Sequence, residues 1–169
     1  MKTYLRAVLI AGIATVSIAC KPNTEPLGLE ISQIEGEFLV SYVLTNRSAG
    51  RIAVLDFNLP FATGQWTPDV FRFNEDDGSV EFLDKRIPHP TFDANTSLIL
   101  LEPSEQFRVM INLEEHYRGE LEGSSVYAEG SIQYKELLPD HSKVNEIDDL
   151  DAIAFLKSNT ITLRDVGKQ

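Results

Sequence analysis

The sequence predicts an all-β fold: an antiparallel β-sandwich of about 7–9 strands, with one short helix near the C-terminus. Three observations predict it. Apolar side chains recur at every second position, most plainly in Gln106 to Leu113, where Phe107, Val109, Ile111 and Leu113 share one face and Gln106, Arg108 and Asn112 the other. Clusters of Asn, Asp, Gly, Ser and Pro interrupt these runs at short intervals, as turns between strands require. Only Asp148 to Lys157 spaces its apolar residues as a helix does. At 169 residues, 43% of them hydrophobic, the chain suits one domain with a proper core.

Ahead of the strands stands a different kind of segment. Lys2 and Arg6 supply positive charge, and Ala7 to Ala19 then runs without a charge; it is too short to span a bilayer as a helix and reads as a secretory signal. The run ends in Ser17-Ile18-Ala19-Cys20, which resembles the lipobox of bacterial lipoproteins, although Ser17 stands where an aliphatic residue is usual. That resemblance implies a diacylglycerol on the Cys20 thiol and cleavage before it. Cys20 is the only cysteine, so it has no partner for an intramolecular disulfide, and its place at the end of the apolar run favours acylation. The alternative is a plain secretory signal cut near Ala19. Two or more acyl chains would hold the protein stably on a membrane. Lys21 follows the cysteine in place of an inner-membrane Asp, so the expected address is the cell envelope at the periplasmic side of the outer membrane.

Loss of residues 1–19 lowers Lys plus Arg from 15 to 13 against 26 acids, a net charge of −13. Such a surface repels nucleic acid and anionic lipid, which excludes a nucleic-acid partner. Residues 20–26 hold two prolines and no apolar period, and read as a tether between the lipid and a sandwich domain over residues 27–169.

The strands follow in order. Leu27, Leu29 and Ile31 alternate with Gly28, Glu30 and Ser32, and Phe38, Val40, Tyr42 and Leu44 with a more polar set, with Glu35-Gly36 as the connection. After the Asn46-to-Gly50 turn, Arg51 to Phe57 shifts its apolar register midway, which suggests a bulge, and Pro60 ends the strand. Val70 to Phe73 and Val80 to Leu83 flank Asp77-Gly78, a hairpin signal. Ser97 to Leu101 is nearly continuous and suits a strand buried on both faces. Val126 to Tyr134 alternates again, with Gly130 marking a bend or a close approach. Acids opening Asp148 to Lys157 and a lysine closing it suit a helix dipole, and Thr160 to Arg164 resumes as the last strand.

Chemistry is hard to find. His89, His116 and His141 are far apart, with no His-Glu-x-x-His, so no metal is expected. There is no Gly-x-Ser-x-Gly elbow, no free catalytic thiol and no phosphate-binding glycine loop, so no cofactor and no enzyme activity are expected. The acids Glu146, Asp148, Asp149 and Asp151 lack the glycine and distal glutamate of a calcium loop and read as a solvated helix start. Asn46-Arg47-Ser48 and Asn95-Thr96-Ser97 fit the glycosylation pattern but read as turn chemistry. Trp66 is a candidate recognition anchor, with a lid over the core as the alternative.

Taken in order, Leu44-Thr45-Asn46-Arg47-Ser48, Ile52 to Leu55, Leu59-Pro60, Asp69-Val70-Phe71, Asp77-Gly78, Val80-Glu81-Phe82, Asp84 to Pro88, Leu100 to Glu105, Ile111-Asn112-Leu113 and Tyr117 resemble a known domain. It is the immunoglobulin-like, propeptide-like N-terminal domain of deuterolysin-type zinc peptidases, matched over roughly residues 27–137. Where that family often has Pro-Gly, this chain has Pro103-Ser104, and the catalytic domain does not follow. The resemblance implies an immunoglobulin-like sandwich and no peptidase activity. A weaker likeness to the intracellular proteinase inhibitors adds the idea of an inhibitor. The expected function is thus a non-enzymatic lipoprotein whose sandwich binds a protein or serves as an accessory module. The alternative is a peptidase inhibitor or propeptide-like partner, with Lys85 and Arg86 in the proline-stiffened segment Asp84 to Pro90 meeting a peptidase cleft.

Overall fold

The computed structural model describes residues 25–34, 38–60, 69–74, 80–83, 93, 97–137, 144 and 149–164. The expected signal, residues 20–24 of the tether, the Glu35-Gly36 connection and the Asp77-Gly78 step lie outside them, as do Asn95-Thr96. Within them the fold is all-β and antiparallel.

The alternating runs become β1 (Leu27–Gln33), β2 (Leu39–Asn46) and β7 (Gln106–Asn112), a three-stranded sheet in the order β1-β2-β7. Between them come β3 (Arg51–Leu55), β4 (Phe71–Phe73), β5 (Glu81–Phe82) and β6 (Leu98–Leu101); after them β8 (Tyr117–Arg118), β9 (Ser125–Leu137), β10 (Ala152–Lys157) and β11 (Ile161–Thr162). The second sheet runs β10-β9-β3-β6, with β4 and β11 also paired to β9, and β5 pairs with β8. Leu27, Leu29, Ile31, Val40, Tyr42 and Leu44 of the first sheet face Ile52, Val54, Val126, Ala128 and Ile132 of the second in one buried core. Each strand contributes alternate residues, so one face of each sheet is apolar.

β3 departs from simple alternation because both its faces are covered. Ile52 and Val54 join the inner core, while Ala53 and Leu55 pack outward with Leu137, Val144 and Leu150 in a second cluster. Its pairing to β6 runs without interruption from Ile52↔Leu101 to Leu55↔Leu98, so the expected bulge is absent there. The strand passes instead into a one-turn 3-10 helix, Asp56–Asn58.

Three further expectations are corrected. The expected helix over Asp148 to Lys157 is not found in the described residues 149–157. Ala152–Lys157 is β10, paired to β9 from Ala152↔Tyr134 to Lys157↔Glu129, because Ala152, Ala154 and Leu156 fit a period of two against that sheet. The short α-helix is elsewhere, α1 (Leu113–His116), started by the Asn112 side chain accepting from the Glu114 N–H at 3.1 Å. β4 and β5 do not form a hairpin: β4 pairs with β9 and β5 with β8. β6 is an edge strand with one face open, and Leu100 on it is exposed.

Asn46 ties these elements together. It is fully buried, and its Nδ2 donates to the carbonyls of Gly50 at 2.8 Å and Leu101 at 2.9 Å. Its Oδ1 accepts from the Ser48 N–H at 2.9 Å and the Ser48 hydroxyl at 2.8 Å, the turn chemistry read from the sequence. The ends of β2 and β6 and the start of β3 thus meet on one side chain.

Candidate functional site

The sequence-derived candidates Cys20, Trp66, Lys85 and Arg86 lie outside the described residues, and so do His89, His141, Glu146 and Asp148. Asp149 is in place, but its backbone carbonyl accepts from the Lys135 Nζ at 3.0 Å. Among the described residues no group of three or more His, Cys, Asp or Glu converges as a metal site would require, and no helix is long and apolar enough to cross a membrane.

The polar and aromatic side chains that do gather lie where β4, β5, β8 and β9 meet. Tyr117 is buried at the first residue of β8, immediately after α1, and its ring is surrounded by Phe71 at 6.1 Å edge-on, Phe73 at 5.2 Å and Phe82 at 5.2 Å. Its hydroxyl donates to the Asp69 carboxylate at 2.9 Å and accepts from the Phe71 N–H at 3.3 Å. Burial first, and then the Asp69 charge, push the phenol far above its ordinary value, so it stays a neutral donor. Arg72 continues the line, reaching Asp69 at 3.2 Å and Glu129 on β9 at 3.1 Å.

An open depression of about 260 Å³ lies over these groups, lined by Asp69, Phe71, Arg72, Phe73, Phe82 and Tyr117 among others. Chemically it offers a cluster of mutually tilted aromatic rings and an ion pair. Its charged groups and the phenol are paired with one another: Asp69 takes the phenol and the guanidinium, and Arg72 spans two carboxylates. Such pairing ties the Asp69–Phe73 segment, β8 and β9 to one another.

None of these residues was singled out for this role by sequence reasoning. Phe71-Arg72-Phe73 does carry a signal, since alternation sets its two aromatics on one face and the arginine on the other. Tyr117 gave none, because its partners come from strands remote in sequence.

A second feature is the outward side of β10, where Phe155 is 78% and Ile153 54% exposed. Beyond them Lys157 sits over the Tyr127 ring, 3.9 Å from its centroid. Neither known protein families nor curated proteins give a match to the chain.

Proposed function

We propose that this chain is an exported lipoprotein, held on the cell envelope through Cys20, and that its immunoglobulin-like sandwich is a non-enzymatic module that binds or supports another protein. The observation that carries the anchor is the lone cysteine at the end of an uncharged apolar run that follows two positive charges. What favours binding over catalysis is the use made of the gathered polar groups. Asp69, Arg72, Glu129 and Tyr117 are spent on one another across β4, β8 and β9. The Arg47–Glu30 pair at 3.2 Å likewise joins the end of β2 to β1. Exposed pairs of this kind contribute little, about 0–1 kcal/mol each, but they fix register.

The test combines the anchor and the partner. The full chain is expressed in a bacterium with a Cys20→Ala control, its N-terminal peptide is weighed, and chemically cross-linked neighbours are identified by mass spectrometry. Diacylglyceryl-Cys20 and one reproducible envelope neighbour, both lost in the control, are the expected result. An unmodified thiol would refute the anchor. A peptidase captured through Lys85 or Arg86 would replace the accessory reading with the inhibitor one.

A further inference from the structure

We propose that the outward face of β10, with Phe155 and Ile153 at its centre, seats on the surface of the bilayer beside the lipid anchor. The inference rests on the reading of Cys20 as the lipidated residue.

Geometry places the Ala152 end of β10, from which this face starts, next to the first described residues of the chain. β1 packs alongside β10. The Asn159 side chain takes both backbone groups of Ile31, accepting from its N–H and donating to its carbonyl, each at 2.9 Å. Two residues on, Gln33 donates to the Arg164 carbonyl at 2.8 Å and accepts from its N–H at 3.0 Å. Sequence number rises along both partners, so β1 and the β10–β11 segment run in the same direction and begin at the same end of the sandwich. The Glu25 end of β1 therefore lies towards Ala152 and Ile153. In keeping with this, burial and then the carboxylates of Glu136, Asp151 and Glu25 raise the pKa of Tyr134, whose strand partner is Ala152. From Cys20 to Glu25 is five residues, a reach of about 17 Å when extended. Phe155 lies about 7 Å along the strand from Ile153. A lipid on Cys20 thus brings this end of the sheet to within contact of the membrane.

The chemistry of the face suits that position. Ile153 and Phe155 occupy alternate positions, pointing away from the core that takes Ala154 and Leu156. Lys157 over Tyr127 continues the same row, and a long cation beside an aromatic ring is what a lipid interface accommodates, the stem and ring among acyl chains and the charge among headgroups. Glu25 and Asp151 at the same end disfavour an anionic surface, so the lipid is zwitterionic.

Trp replaces Phe155 in the full lipidated chain, reconstituted in phosphatidylcholine vesicles brominated at mid-chain. Leu100→Trp, on the far edge strand of the same sheet and half-exposed, is the comparison, and the unsubstituted chain supplies the Trp66 baseline. Bromolipid should reduce Phe155→Trp emission well below baseline and leave Leu100→Trp unchanged, and adding anionic lipid at low salt should weaken the effect. Equal quenching at both positions, or none at Phe155→Trp, overturns the proposal. A blue-shifted but unquenched Phe155→Trp also overturns it and assigns the face to a protein or a second copy. N-terminal mass on the same samples separates the failures: an unlipidated chain refutes the anchor, whereas a lipidated chain with unquenched Phe155→Trp refutes only the seat.

Discussion

Ser104 is the one residue other than glycine, among those described, with a positive φ, at 67°. It follows Pro103 in a turn closed by the Glu105 N–H on the Glu102 carbonyl at 2.9 Å, and a proline followed by a left-handed residue is the type II arrangement that glycine fits best. The departure from Pro-Gly noted in the sequence therefore falls on the very residue whose backbone conformation costs a side chain most. Ser104→Gly should raise stability by about 0.5–1 kcal/mol in urea unfolding, the relief of left-handed strain less the extra freedom of the unfolded chain. A lower stability would mean that the Ser104 side chain has a role the turn geometry does not reveal. Asp56 carries a different tension. It is buried, its Oδ1 has no partner among the described residues, and burial raises its pKa above the ordinary 3.8 although backbone N–H groups of Phe57 and Asp56 itself pull it partly back. The folded state holds this proton to a higher pH than the unfolded state does. Stability is therefore favoured at low pH and falls as pH rises from the ordinary value through the raised one. Asp56→Asn should flatten that slope and be the more stable protein at pH 7, as urea midpoints across pH would show; parallel profiles for the two proteins would contradict it.

Among the elements, the inner-facing strands were legible because one period, two, describes each of them. β1, β7 and β9 bury mainly alternate residues, whereas β2 keeps the alternating pattern in sequence but buries Val40 to Leu44 without a break, and β9 continues past Tyr134 to Leu137. What misled was burial on a second face. β3 looked bulged because Ala53 and Leu55 have an outer cluster of their own to fill. β10 was read as a helix because Asp148-Asp149 and Lys157 suit a dipole and Leu150 and Ile153 stand three apart, although Leu150 belongs to the outer cluster and Ile153 to the open face. Pairings between distant strands, such as β4 with β9, leave no local trace, and so the Tyr117 environment was invisible. Gly130 interrupts an alternating run, but a Cβ at that position meets nothing within 4 Å, so close approach is not its reason. It lies on β9 between the stretch paired to β4 and the stretch paired to β3. Gly130→Ala should stabilise by about 0.4–1 kcal/mol by restricting the unfolded chain. A loss measured by thermal unfolding would show that the strand bends there in a way a side chain cannot follow.

For the molecule as a whole, the two clusters predict two levels of stability. The inner core joins both sheets, and its loss removes the reason for the sandwich to exist. The outer cluster is capped by Val144 and Leu150, which come from the connection between β9 and β10 and lie on the far side of the second sheet. Lys135 adds a hydrogen bond to the Asp149 carbonyl at 3.0 Å, part-buried and so of modest weight. Detachment of Val144 and Leu150 from Ala53, Leu55 and Leu137 leaves the inner core intact, the condition for a local unfolding step below the global one. Leu44→Ala, at a fully buried inner position, should lower the global unfolding free energy by about 2–5 kcal/mol. Leu150→Ala should take much less from the global transition and act mainly on hydrogen exchange, accelerating the amides of residues 149–151 while those of β2 keep their protection. If both substitutions shifted the global midpoint equally and exchange slowed or quickened everywhere together, the two clusters would be one cooperative unit, and the connection between β9 and β10 would be as much a part of the core as Tyr42.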